Sequence, residues 1–172
     1  MAARQAAYKY PKEKMLPSLP EGHTVYGLIV DTPLELKTLI SIAAFANGAA
    51  NLYVNSGGGV VGAAQRYKRV AQAARGLVLN ANSCLSLGEK TKSFDLPVAG
   101  FHFVYLLTTD GVYKIVMSEK LVAKDRQRAV LFNGYQSLIH ELRYAQMKDR
   151  KLAQQAEENQ EPTTEAAEEN DN

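Results

Sequence analysis

Residues 38–56 read TLISIAAFANGAANLYVNS, and this stretch decides the fold. Asn47-Gly48 separates two apolar runs, and Asn-Gly is the strongest short-range signal for a β-hairpin because both residues tolerate positive φ. The second run alternates strictly between apolar and polar positions, which is typical of a half-buried strand. A three-residue loop that sets Ile42 opposite Val54 joins the apolar faces of the two runs. The sequence therefore predicts an antiparallel strand pair here.

An earlier strand and a later helix flank this hairpin. The apolar run 24–30 predicts a strand, which we expect to end before Pro33 because proline has no N–H to donate to a ladder. From residue 60 to residue 85 the apolar residues recur at three- and four-residue steps. That spacing is typical of one face of a long amphipathic helix.

The rest of the ordered chain predicts a second strand pair and a second long helix. Runs 101–107 and 112–117 are separated by the turn dipeptide Asp110-Gly111, and Asp125 is a suitable N-cap for the helix that follows. Run 101–107 is apolar on both faces, which favours a strand covered on both sides. The order is three strands, a helix, two strands and a helix. We predict an α+β fold, a mostly antiparallel sheet of about five strands packed by two long helices.

The predicted domain organisation has three parts. Residues 1–22 hold three prolines and mixed charge, so we expect a poorly ordered segment in which Tyr8, Tyr10, Met15 and Leu16 pack locally. Residues 23–155 form a single α+β domain. Residues 156–172 are predicted to be a disordered acidic tail that is dispensable for folding, because they offer too little apolar area to offset the entropy of ordering.

Charge and cysteine content limit the function classes. The chain has a formal charge of +2, but seven acids lie in residues 157–172, so the other 156 residues carry +9. The single cysteine, Cys84, excludes disulfides and multi-cysteine zinc sites, and we expect a small buried thiol there. The first 23 residues lack the apolar run of a signal peptide, and no stretch is long enough to span a membrane. We therefore expect a cytoplasmic protein with no membrane partner.

The glycine-rich stretch is the main candidate site. Gly57, Gly59 and Gly62 match G-x-G-x-x-G after a strand, and with Ser56 and Gly58 they form a possible anion-binding turn. The dinucleotide fingerprint also needs an acid about 20 residues further on, and residues 76–82 contain none. The alternative, which we favour, is a turn without side chains that lets the helix pack close to the sheet.

The remaining candidates are weaker. Lys68 and Arg69 form a possible basic face on the first long helix. His23, His102 and His140 lack the short spacing of a metal pair, so no metal site is predicted. Acids such as Asp31 lie at strand ends, where acids are ordinary. We predict no catalytic residue and no cofactor, and we expect no nucleic-acid partner because the aromatic residues do not interleave with basic ones.

Several runs together carry a family resemblance. They are Asn47-Gly48 with Leu52-Tyr53, Ser56-Gly57-Gly58-Gly59, Tyr105-Leu106-Leu107-Thr108 with Gly111-Val112, and Leu131-Phe132 with Leu138-Ile139 and Leu142-Arg143. In this order they resemble a bacterial domain family without an assigned activity, over residues 25–143. More loosely, the layout is similar to the roadblock, longin and profilin class of adaptors, which implies a small sheet-and-helix interaction module.

The sequence as a whole predicts a non-enzymatic protein-interaction or adaptor module. The alternative is a regulatory domain that binds a small molecule, nucleotide or other anion through the glycine turn 56–62. We also expect a homodimer or a protein partner, because two helices cannot cover both faces of the sheet. Tyr53 and the face that carries Val104 and Leu106 are the predicted contact surfaces.

Overall fold

The computed structural model describes residues 2–34 and 38–159. The helices are α1 (Ala2–Tyr8), α2 (Ala63–Arg66), α3 (Lys68–Asn82), α4 (Glu119–Lys124) and α5 (Arg126–Glu158). The strands are β1 (Val25–Pro33), β2 (Leu39–Phe45), β3 (Ala50–Val54), β4 (Gly59–Val60), β5 (Glu89–Thr91), β6 (His102–Thr108) and β7 (Gly111–Met117). They form one sheet in the order β4-β3-β2-β1-β6-β7-β5.

The α+β class and the antiparallel sheet are confirmed, since every strand pair is antiparallel. The predicted number of about five strands is wrong, because residues 2–34 and 38–159 contribute seven strands to the sheet. The additional strands β4 and β5 are two and three residues long and form the two edges. Strands this short show no periodicity in the sequence, and short edge strands limit pairing with other chains.

Two further details of the strands correct the predictions. In the hairpin Ile42 pairs with Leu52, not with Val54, a shift of two residues. A shift of two keeps each side chain on its expected face because the side-chain period of a strand is two. β1 also continues through Pro33, which pairs with Leu39 of β2 beyond the last β6 partner, at Asp31. Proline is tolerated there because only one neighbouring strand remains.

The first long helix is divided. Gly62 adopts φ 72° before α2, and Tyr67, with φ −119° and ψ 105°, separates α2 from α3. The prediction of a single helix from residue 60 to residue 85 is therefore wrong for its first turns. The predicted cap of the last helix is confirmed, since the Asp125 side chain accepts a hydrogen bond from the Arg128 N–H at 3.0 Å.

Two long helices cover the first face of the sheet. α3 and α5 pack on it through aliphatic and aromatic side chains, among them Leu77 and Leu138, over sheet residues such as Ile42. Val104 and Leu106 belong to this core and are fully buried, so they cannot form the contact surface predicted for them. Homodimer formation itself stays a prediction.

Residues 2–22 cover the second face. The sequence predicts a poorly ordered segment here, whereas the structure places α1 and two short 3-10 turns over Ile29, Phe45 and Tyr105. Met15 is fully buried, while Leu16, predicted to pack, is 40% exposed. β6 is thus covered on both faces, as its sequence indicates. The tail predicted for residues 156–172 lies outside the described residues from residue 160 onward, and α5 continues to Glu158.

No helix within residues 2–34 and 38–159 is long and apolar enough to cross a bilayer.

Candidate functional site

The glycine motif is distributed over three separate elements. Gly57 lies in the β3–β4 turn, where its N–H donates to the Val54 carbonyl at 3.1 Å. Gly59 lies in β4 with φ 151°, and a Cβ there would stand 2.2 Å from the Leu52 carbonyl oxygen. Gly62 is the N-cap of α2, which has only four residues. The motif therefore forms a tight hairpin and a helix entry, and its glycines do not share one loop.

The turn also borders a small cavity. Gly57 and Gly58 line a space of about 250 Å³ together with Arg4, Ser41 and residues of β3. Arg4 is the one cation among the described residues that line it, and its guanidinium is paired with Asp31. The cavity consequently offers an anion little unpaired positive charge.

The predicted basic face forms part of a larger groove. Lys68 and Arg69 begin α3, and α5 runs beside them, so that the two helices enclose a groove of about 360 Å³. The lining residues are Arg66, Tyr67, Lys68, Arg69, Glu141, Tyr144, Ala145 and Lys148. We refer to this feature as the cationic groove.

Asp149 holds the two walls of the groove together. Its carboxylate accepts hydrogen bonds from the Tyr67 hydroxyl at 2.7 Å and from Arg66 Nη2 at 2.5 Å. The bond from Tyr67, followed by that from Arg66, lowers the pKa of Asp149, so the carboxylate stays ionised. The charge of Arg66 is therefore largely neutralised. The same two hydrogen bonds fix the position of Arg66 and Tyr67 relative to α5.

Three cations of the groove remain without an acidic partner. In the described part of the chain, Lys68, Arg69 and Lys148 take part in none of the ion pairs, and all three are exposed. Lys148 Nζ lies 4.9 Å from the centroid of the Tyr144 ring. Glu141 is the one acid among the described residues that line the groove. The N-terminus of α3 adds positive potential through its first backbone N–H groups. Tyr67 at the N-cap provides no side-chain acceptor for them.

The side chains of the groove are suited to binding an anionic group. Lysine and arginine provide several hydrogen-bond donors for carboxylates, and the tyrosine rings provide flat apolar surface between them. Within residues 2–34 and 38–159, no cluster of three His, Cys, Asp or Glu side chains could hold a metal ion. The groove can therefore hold an anionic group by charge and hydrogen bonding.

Two other residues considered in the sequence lie apart from the groove. His102 lines a cavity beside Glu119, and burial lowers the pKa of its imidazole, which keeps the ring neutral near pH 7. Cys84 is buried, as predicted, and burial raises the pKa of its thiol. The raised pKa keeps the Cys84 sulfur in its less reactive thiol form.

Sequence reasoning named Lys68 and Arg69 but missed the α5 side of the groove. Glu141 and Ala145 are four residues apart, as are Tyr144 and Lys148, so the four residues share one side of α5. That spacing was visible in the sequence. Its meaning was not, because nothing local indicates that this side of α5 lies beside the start of α3.

No model of a known protein family, no curated protein and no solved structure matches this chain. The resemblances to the bacterial domain family and to the roadblock, longin and profilin class therefore stay predictions.

Proposed function

We propose that this protein is a non-enzymatic interaction module that binds an acidic segment of another protein in the cationic groove. The observation that carries the proposal is the convergence of Lys68, Arg69 and Lys148, none of them paired with an acid of the described chain, around one groove. An acidic segment supplies several carboxylates at once, which matches cations contributed by two different helices.

The chemistry of the groove favours a polypeptide over nucleic acid. Three unpaired cations form a small basic surface, whereas nucleic-acid binding usually depends on many phosphate contacts. Exposed ion pairs contribute little each, so we expect modest affinity that falls as salt is added.

Reversing the two α3 cations tests the proposal. The probe is a fluorescent peptide of ten glutamates, and its binding is followed by fluorescence anisotropy at low salt. Lys68→Glu combined with Arg69→Glu should weaken binding by about tenfold or more, because two attractions become repulsions. Addition of salt should weaken binding to the unaltered protein.

The matched control is Lys120→Glu with Lys124→Glu. Both residues are exposed on α4, outside the groove, and the change in net charge is the same. We expect this variant to bind the probe nearly as well as the unaltered protein. Equal losses in the two variants would mean that net charge alone attracts the peptide, and absence of binding would refute the groove as a site.

The second candidate function is binding of a small anion or nucleotide at the glycine turn. It is favoured by the cavity of about 250 Å³ and by open space around Gly57 and Gly58. A thermal-shift screen with nucleotides and inorganic phosphate tests it. Stabilisation by one of these compounds that Gly58→Asn abolishes would favour this function, because asparagine tolerates the left-handed φ of 77° at this position. Gly59 is unsuitable for the same purpose, since a side chain there collides with β3.

A further inference from the structure

α5 extends beyond the body of the protein. Every residue from 150 to 158 is exposed, so the last turns of the helix pack against nothing in the described chain. A free helix of this length is only marginally stable in water, and it persists here as the continuation of a packed helix. The surface of these turns is therefore accessible to a ligand that extends from the cationic groove along α5.

An apolar side chain lies directly on that line. Tyr144, Lys148 and Leu152 are spaced by four residues and so occupy one side of α5. Tyr144 is 42% exposed and Leu152 is 61% exposed. About one helical turn separates Lys148 from Leu152, which sets Leu152 about 6 Å beyond Lys148 along the helix axis. Cations and then an apolar residue follow one another along the same side of the helix.

We propose that the bound acidic segment continues along α5 and packs a large apolar side chain against Leu152. This inference rests on the proposed function and adds the chemistry of the partner. An extended chain advances about 3.3 Å per residue, so the apolar residue lies about two positions from the glutamate or aspartate that meets Lys148. The partner is an acidic segment of another protein with a leucine-like residue at that spacing.

Two other occupants fit less well. Residues 160–172 of this chain contain five acids, but their only aliphatic side chains are those of Ala166, Ala167 and Pro162, so they match the cations and not Leu152. A second copy packed in parallel about Leu152 would bring the Lys148 and Lys151 side chains of both copies together, and like charges at short distance repel. An acidic partner avoids both difficulties.

A pair of charge-matched peptides tests the inference. One is a glutamate decapeptide with leucines at positions 4 and 7, and the other has serines at the same two positions. The leucine peptide should bind about 5- to 10-fold more tightly, because it buries apolar area that serine lacks. Leu152→Ser should remove this preference and leave the affinity for the serine peptide unchanged. Met147→Ser, an exposed residue off the line, should keep the preference.

The possible outcomes separate the two proposals. If neither peptide binds, the proposed function fails. If both bind equally, and Leu152→Ser changes nothing, the cationic groove stands and the contact at Leu152 is refuted. Sedimentation of the unaltered protein provides a further check, since a dimer that dissociates on Leu152→Ser would make a second copy the occupant and overturn the inference.

Discussion

The two faces of the sheet are covered in different ways. On the first face, the long helices α3 and α5 bury an apolar surface through many side chains. On the second face, residues 2–22 bury a smaller apolar surface with one short helix and two 3-10 turns. The second face also contains a charged side chain, Asp31, which is fully buried in the central strand β1.

Arg4 of α1 neutralises Asp31. Its Nε lies 3.0 Å from both carboxylate oxygens and its Nη2 lies 2.6 Å from Oδ2. Arg4 Nη2 also donates to the carbonyls of Phe94 and Asp95, and the Ser41 hydroxyl donates to Asp31 at 2.6 Å. The exposed fractions of the two charged side chains are 4% and 0%. The pair is thus fully desolvated and well provided with hydrogen bonds.

The comparison shows two ways in which a sequence can determine where a segment packs on a sheet. Apolar packing tolerates small shifts, since its energy depends on area and shape. A buried carboxylate demands one arrangement, because any docking that leaves it unpaired is strongly unfavourable. We infer that the Arg4–Asp31 pair determines the position of residues 2–22, while the smaller apolar contact stabilises them there.

The largest effect is expected from Arg4→Met. This change leaves the Asp31 charge buried without a partner and should lower the free energy of unfolding by about 3–5 kcal/mol. Urea denaturation followed by circular dichroism measures it. Adding Asp31→Asn to the variant should restore part of the loss, because no charge is then buried. A loss below about 1 kcal/mol for Arg4→Met would show that the pair does not hold the second face.

A somewhat smaller loss in the free energy of unfolding is expected from Leu138→Ala on the first face, which α3 and α5 cover. The side chain is fully buried in the α3–α5 core, and its truncation should cost about 2–5 kcal/mol. Cys84, buried in the same core, reports on this face through its reaction with a thiol reagent. The thiol should react faster in Leu138→Ala than in Arg4→Met under native conditions. Equal rates would mean that the two faces open together.

The smallest effect is a pH dependence at Tyr105 on the second face. Burial, and after it the charge of Asp31, raises the pKa of Tyr105 from its usual 10.0 to about 12. Because the folded state favours the neutral phenol, this contribution to stability is complete below pH 10 and is lost as the pH rises from 10 to 12.

Tyr105→Phe separates this contribution from the rest of the molecule. At pH 7 it should cost about 1 kcal/mol, since the hydroxyl no longer donates to the Asp95 carbonyl at 2.7 Å. Denaturation between pH 8 and pH 11 should then show a weaker loss of stability in the variant than in the unaltered protein. Identical pH profiles would assign the alkaline sensitivity to other tyrosines.

The sequence by itself determined the helices and strands whose apolar residues recur at a regular spacing. The three- and four-residue steps of α3 and α5 and the apolar runs of β1, β2, β3, β6 and β7 are visible because each depends on neighbours along the chain. The same local patterns identified Asp125 as a helix cap and Lys68 with Arg69 as a basic face. They also established the α+β class and the antiparallel sheet.

Only the tertiary structure decided which of these residues meet. Arg4 joins Asp31 across 27 positions, and Tyr67 joins Asp149 across 82. Single pairs at such distances leave no periodic trace, so Asp31 looked like an ordinary acid at a strand end and α5 gave no sign of a groove. Local patterns reveal which side chains share a face, whereas long-range packing decides what that face contacts.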